Sequence, residues 1–292
     1  MVYGPPDYRH CVARRKGFGL VLSVLTLGLG YGPLGLAQEE VWVGRTSGNW
    51  SVGSNWLDGS PPPSAGGSAL SLRFAAPTAG PITSTQNLSS GFVVNQLLFD
   101  QTAGRSLNLS SLSSITLSGD SPDIVQDGLG SITISAPLRL SGTDGPVTIS
   151  GAGAGSITLS GRLSNSGTGE VLRIEGSNAS PNGSLISLTA SNSLTGTVTV
   201  QSGNVSFNPA SLGQSTLRVN GGMVRFEDEY ATIPNRIELN SDLVIVGRTA
   251  HTLSGVISST TAGAGLHLRA ATGQWGAIGW MVPPRPQLGI RR

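Results

Sequence analysis

"SITLSG" stands at Ser114–Gly119 and again at Ser156–Gly161, with "SITIS" at Ser131–Ser135 and "VTIS" at Val147–Ser150 between the two copies. Each string alternates an aliphatic residue with a small hydroxyl residue. Successive side chains of a strand point to opposite faces, so each string offers one apolar and one polar face. The same alternation runs through Leu107/Leu109, Leu138/Leu140, Leu172/Ile174, Val198/Val200, Val205/Phe207, Leu217/Val219, Ile237/Leu239 and Leu243/Ile245. No segment sustains the 3.6-residue period of an amphipathic helix. Corners such as "NGG", "GTDG" and "PNG" separate the runs and supply the positive φ angles that tight turns need. The body reads as β throughout.

Short strands at intervals of roughly ten to twenty residues fit either an antiparallel sandwich or barrel, or a parallel β-solenoid. The recurrence of nearly identical strings favours the solenoid, in which each coil stacks on a near copy of itself. So does the scarcity of aromatic residues, 5% of the chain, because a narrow interior suits Ile, Leu and Val. At roughly twenty residues per coil, residues 81–270 give nine or ten coils and a column roughly 45 Å long. In that arrangement Ile115, Ile132 and Ile157 turn inward.

The composition narrows the function. Of 292 residues, 42 are Gly and only 12% are charged. The formal net charge of +2 comes from the ends, with Arg9, Arg14, Arg15 and Lys16 at one and Arg285, Arg291 and Arg292 at the other. No basic stripe runs between them, so no nucleic-acid partner is expected. Residues 1–37 read as a signal peptide: "RRK" at Arg14–Lys16, the apolar "GFGLVLSVLTLGLG" at Gly17–Gly30, then "GLA" at Gly35–Ala37 as a small-residue cleavage site. The single cysteine, Cys11, lies before the apolar run and leaves with it. The mature chain then has no thiol for a disulfide or a soft-metal site. Three regions follow: a tryptophan-rich cap segment over 38–80, the repetitive body over 81–270, and an irregular tail over 271–292 consistent with truncation or a frameshift.

Residue types that could carry chemistry are few. Asp120, Asp123 and Asp127 in "GDSPDIVQDG" could supply the paired carboxylates of glycoside cleavage, but Asp at such corners commonly caps turns. His251 and His267 could stack on neighbouring coils and bind a metal, yet no carboxylate or cysteine completes the set. Trp42, Trp50 and Trp56 could stack on sugars or seal the open end of the first coil; the cap is the favoured reading. "EDE" at Glu227–Glu229 alternates faces and converges poorly on a cation. "GYGPLG" at Gly30–Gly35 satisfies G-x-G-x-x-G but follows no strand and opens no helix. No P-loop exists, because Lys16 is the only lysine. No catalytic, cofactor or metal residues are assigned.

The stretch "LISLTASNSLTGTVTVQSGNVSFNPASLGQSTLRVNGGMVRF", Leu185–Phe226, resembles the passenger-associated repeat of autotransporters, the autotransporter-associated β-strand repeat. Its parts would be Ile186–Leu188, an Asn-x-x-Thr-Gly turn at Asn192–Gly196, Thr197–Val200, Gly203–Phe207, Leu212–Gly213 and Leu217–Gly222. "VWVGRTSGNWSVGSNWLDGSPP" from Val41 looks like the segment that precedes such repeats, and "HTLSGVISS" at His251–Ser259 resembles their inter-repeat strands. The resemblance implies an all-β, right-handed parallel β-helix in an exported passenger. It also implies a non-catalytic, adhesin-like role toward host or cell-surface glycans or proteins, at the cell surface when an outer-membrane translocator exists and in the periplasm otherwise. The alternative is a carbohydrate-binding or polysaccharide-active β-helix. The chain departs from the pattern after "GLHLRA" at Gly265–Ala270, where another repeat is due and no run of alternating segments remains to form a translocator barrel.

Overall fold

The computed structural model describes residues 38–270, except 46, 76–81, 102–104, 143–144, 177–184, 228–230, 248–250, 262–263 and 265. The expected signal peptide and the C-terminal tail lie outside the described residues.

The strands wind into a parallel β-helix. Among the described residues they form a ten-stranded sheet, a nine-stranded sheet, a four-stranded sheet and a two-stranded sheet. The long coils visit three faces in turn, as in Asp123–Gln126 on the ten-stranded sheet, Ile132–Ile134 on the nine-stranded sheet, Leu138–Leu140 on the four-stranded sheet, then Val147–Gly151 back on the first. Every strand pairs in parallel with the strand one coil away, as in Ile132↔Ile157↔Ile186. All backbone groups inside the stack thereby find partners in the next rung. The ten strands of the first sheet climb about 43 Å at about 4.8 Å per rung.

Alternation decides what is inside. Ile115, Leu117, Ile132, Ile134, Ile157 and Leu159 are all buried, and the threonines between them are half-exposed. Each enclosed aliphatic side chain contributes about 1.5–3 kcal/mol relative to exposure. The inward column Leu72, Leu97, Ile124, Ile149, Ile174, Val200, Val219 and Leu239 continues unbroken through the first sheet. The inward placement of Ile115, Ile132 and Ile157 is as the sequence requires.

One expectation needs correction. The coils are not uniformly about twenty residues: Leu72 to Leu97, Ile124 to Ile149 and Ile149 to Ile174 are steps of 25. The step falls to 19 between Val200 and Val219 and to 20 between Val219 and Leu239. The corner between the first two sheets explains much of the change. Residues 127–131 make it in the long coils, whereas Gly203 alone joins Thr197–Ser202 to Asn204–Phe207. Near copies do stack, "SITIS" on the second "SITLSG" through Ile132–Ile134 and Ile157–Leu159, but the two "SITLSG" copies lie on different faces. Ile115–Leu117 belongs to the four-stranded sheet and Ile157–Leu159 to the nine-stranded sheet. Their separation of 42 residues is about five faces of a three-faced, 25-residue coil, so the second copy lands on a different face.

The segment 38–80 contributes Gln38–Trp42 and Leu70–Phe74 to the first sheet. Between these strands its loop folds the indoles inward. Asn55 organises that loop: its Nδ2 donates to Ser47 Oγ and to the Asn49 carbonyl, both at 2.9 Å, and its Oδ1 accepts from the Ser47 amide at 3.1 Å.

Candidate functional site

The residues that could have carried chemistry are dispersed. Trp42, Trp50 and Trp56 are fully buried. Trp50 Nε1 donates to Ser84 Oγ and Trp56 Nε1 to the Trp50 carbonyl, each at 2.7 Å. Trp50 packs edge-on against Phe92 at 5.2 Å and Trp56 at 6.0 Å, and tilted against Phe74 at 6.1 Å. Their faces are spent on one another, so they form a plug at the N-terminal end of the ladder and present no sugar platform.

The three aspartates lie on and around one strand and do not converge. Asp123 sits on the outward face of the ten-stranded sheet, where it bonds Gln96 and Thr148 on the rungs either side. Burial pushes its carboxyl above the ordinary aspartate range, partly opposed by those two hydrogen bonds. Asp127 lies at the next corner, where its Oδ1 accepts the Ala152 amide at 3.0 Å, a cap of the following coil. Asp120 is exposed before the strand. Among the described residues no three His, Cys, Asp or Glu side chains are placed to share a metal.

The histidines do not stack on neighbouring coils. His251 precedes Thr252–Leu253 of the two-stranded sheet and packs edge-on against Phe226 at 5.8 Å. His267 belongs to Leu266–Ala270 of the nine-stranded sheet, and its backbone pairs with Val244; its side chain lies outside the described residues. Of "EDE", only Glu227 is described. It accepts from Ser206 Oγ at 2.5 Å and lies 4.0 Å from Arg225.

What the fold does assemble is a set of outward polar rows. On the nine-stranded sheet Thr83, Asn108, Thr133, Thr158, Ser187 and Ser206 occupy successive rungs in register. Thr83 is exposed and Asn108, Thr133 and Thr158 are half-buried, whereas Ser187 and Ser206 are buried. The row is accessible over its N-terminal rungs. Neighbouring hydroxyls bond across rungs, Thr85 with Ser110 at 3.0 Å and Ser135 Oγ to Asn108 Oδ1 at 2.9 Å. On the ten-stranded sheet the row carries charge. Arg73 bridges Glu39 at 2.9 Å and Asp100 at 3.0 Å; Arg173 holds Glu170 at 2.8 Å; Arg218 holds Glu238 at 2.9 Å. The hydrogen bond from Arg73 lowers the Glu39 carboxyl below its usual range, and that from Arg173 does the same to Glu170.

A third row escaped the sequence reading. Asn220 Nδ2 donates to Gln201 Oε1 at 2.8 Å, Asn240 Nδ2 donates to Asn220 Oδ1 at 2.9 Å, and Thr260 Oγ1 bonds Asn240 Oδ1. Its signal was present: polar residues at 201, 220, 240 and 260 recur at the coil length of the short coils. Reading it required that length first.

A cavity of about 20 Å³ opens at the corner lined by Gln126, Ser150, Gly151, Gly155, Ile157 and Ile186. It admits one water-sized group, far below the volume that a sugar cleft needs.

Comparison with protein-family models, with curated proteins and with solved structures finds no match to this chain. Function is therefore argued from the faces themselves.

Proposed function

We propose that the chain is an exported, non-catalytic β-helical passenger of the autotransporter kind, whose outward Ser/Thr/Asn rows are displayed to cell-surface glycans or proteins. The observation that supports this most is the fit of Leu185–Phe226 to the ladder. Its first strand segment falls in Leu185–Leu188, its next two in Thr197–Ser202 and Asn204–Phe207, its Leu-Gly step at the end of the 3₁₀ turn Pro209–Leu212, and its closing Leu-x-Val in Thr216–Val219. The apolar residues of these parts, Leu188, Val198, Val200, Val205, Phe207 and Leu212 among them, are buried. Its strands stack on one another, Leu185–Leu188 on Asn204–Phe207 and Thr197–Val200 on Thr216–Val219, so the stretch supplies successive rungs of both sheets, as a stacking unit must.

The mechanism is display. Over the N-terminal rungs half-exposed groups such as Asn108, Thr133 and Thr158 repeat rung by rung, each a weak hydrogen-bonding site, and several engaged together give avidity. Export as an unfolded thread suits a mature chain without cysteine, since no cross-link forms on the way.

Two measurements test the reading. Expression with its leader in a bacterium with two membranes is expected to yield a chain cleaved after Ala37 and found outside the inner membrane. The mature chain is expected to bind a subset of a glycan array or intact cells, with no turnover of polysaccharides. Cytoplasmic retention, or depolymerisation of a uronate-rich polymer that Asp123→Asn abolishes, would replace this reading with another.

A further inference from the structure

Most arginines of the described surface are paired. Arg73, Arg173, Arg218, Arg225 and Arg236 each lie within 4.0 Å of a carboxylate, and Arg105 is buried. Among the described arginine side chains that leaves Arg45, Arg139 and Arg162, all exposed and with no described carboxylate so close. Arg45 lies in the loop after Gln38–Trp42, but the other two share the face of the four-stranded sheet. Arg139 is the outward residue of Leu138–Leu140, between two buried leucines. Arg162 immediately precedes Leu163–Asn165. Because Arg139 pairs with Ser164, Arg162 lies one rung on and two residues back, about 8 Å from Cα to Cα by ladder geometry.

The backbone fixes that spacing. The Arg162 carbonyl accepts the Leu138 amide, and the Gly161 amide donates to the Ile134 carbonyl, each at 2.9 Å. The outward neighbours of Arg139 are hydroxyls, Thr116 one rung before it and Ser164 one rung after. The strands here and the corners entering them, 110–117, 135–140 and 160–165, hold no carboxylate and no aromatic residue. Asp120 and Glu170 come after the other ends of these strands, and Glu170 is engaged by Arg173 at 2.8 Å. Asp144, after Leu138–Leu140, lies outside the described residues.

We propose that Arg139 and Arg162 hold an acidic polysaccharide along this face, each guanidinium taking one carboxylate of the polymer while Thr116 and Ser164 bond its hydroxyls. A guanidinium fork meets a carboxylate through two parallel hydrogen bonds. Two forks at a fixed separation favour a polymer whose acid groups repeat along its length. A nucleic acid would find no ring on which to stack its bases. An anionic membrane would find neither the cluster of cations nor the apolar helix face that it needs. The inference rests on the display reading and names a face and a glycan class within it.

Titration of the mature full-length chain with polygalacturonate at low salt, against neutral dextran, tests it. The expected result is binding to polygalacturonate alone, weakened by added salt, with no turnover of the polymer. Arg139→Gln and Arg162→Gln should each weaken it about two- to fivefold and both together about tenfold, with circular dichroism unchanged. Arg45→Gln, which removes the same charge elsewhere, should leave the affinity as it was. Absence of binding overturns the proposal, and so does an equal loss from Arg45→Gln. Binding that survives the double change overturns it too, as it would if Arg285, Arg291 and Arg292 carried the polymer. So does binding of dextran sulfate with none of polygalacturonate. Failure of the display reading shows separately, as cytoplasmic retention, whereas glycan-array binding undiminished in the double variant keeps display and overturns this site.

Discussion

Phe74 and Phe99 lie on successive rungs of the ten-stranded sheet with ring centroids 4.8 Å apart and planes within 15° of parallel. Their spacing is that of the ladder itself, so backbone pairing and ring stacking reinforce each other. One rung on, the position passes to Gln126, and Gly151 follows over the Gln126 backbone. In this column the aromatic filling is thus confined to the N-terminal rungs, while a second buried pair, Phe207 and Phe226, fills the nine-stranded side further along. Phe99→Ala is expected to cost about 3–5 kcal/mol, read from urea melts, and to expose the tryptophans to iodide quenching. Retained quenching protection with full stability would show that the rings do not bear on the plug.

Ile157 sits 2% exposed between Ile132 and Ile186. Replacing it by Ala is expected to cost about 2–5 kcal/mol. Ile157→Asp places a carboxylate in the same dry column with no partner and costs more. Limited proteolysis should then cut within the coils around 132–186. Unchanged protease resistance in the Asp variant would contradict the inward placement.

Gly203 and Gly59 both hold positive φ, 94° and 83°, but only one is crowded. A Cβ on Gly203 would come 2.6 Å from the Gly176 Cα, while one on Gly59 would meet nothing within 4 Å. Gly59→Ala therefore pays backbone strain alone, about 1–2 kcal/mol. Gly203→Ala adds a clash that forces two coils apart, and its loss of thermal stability should be clearly the larger. Equal losses would mean that the close approach of the coils is relieved at little cost.

How much of this was legible beforehand depends on which physical rule was local. Inward and outward placement needs only a period of two, and Ile115/Leu117 or Ile157/Leu159 declare it directly. Coil length is not local, because it depends on how many residues each corner consumes. The string "GAGAGS" and the single Gly203 turn the chain between the same two sheets, and nothing in either reveals the partner rung. For the same reason the sequence does not say which near copies meet: "SITIS" stacks on the second "SITLSG", while the first lies on another face. The tryptophans could be read as plug or platform; only the bonds Trp50 Nε1 to Ser84 and Trp56 Nε1 to Trp50 decide it. The Gln201–Asn220–Asn240–Thr260 row is written plainly once the period is known and is invisible before.

Acid should act on this chain in two directions. Glu170 is held below the usual carboxylate range by Arg173, so it binds a proton less readily folded than unfolded. Its contribution is present above the unfolded glutamate pKa and is lost as pH falls through the lowered native value. Asp123 is shifted up by burial, so its charged form costs stability above that raised value and the cost disappears on acidification. Melting temperature followed from pH 7 to pH 3 should show Glu170→Gln below the parent at neutral pH and converging with it in acid. Asp123→Asn should lie above the parent at neutral pH and converge from that side. Opposite ordering of either pair would reject the assigned cause.

Asn240 joins its row from both sides, donating to Asn220 and accepting from Thr260. Asn240→Ala is expected to cost about 1 kcal/mol and to speed amide exchange at the rungs of Leu239 and Ser259. Exchange rates identical to the parent would show that the row decorates the corner without tying it.

A stack in which each rung touches only the rungs beside it comes apart from whichever end is held least. Among the described rungs, the N-terminal ones are clamped by interlocked rings, whereas Ile257 far along the same sheet is 40% exposed. Of the described rungs, heat or a pulling force should therefore loosen those around Ile257 before the ring-locked turns, which are the last to let go.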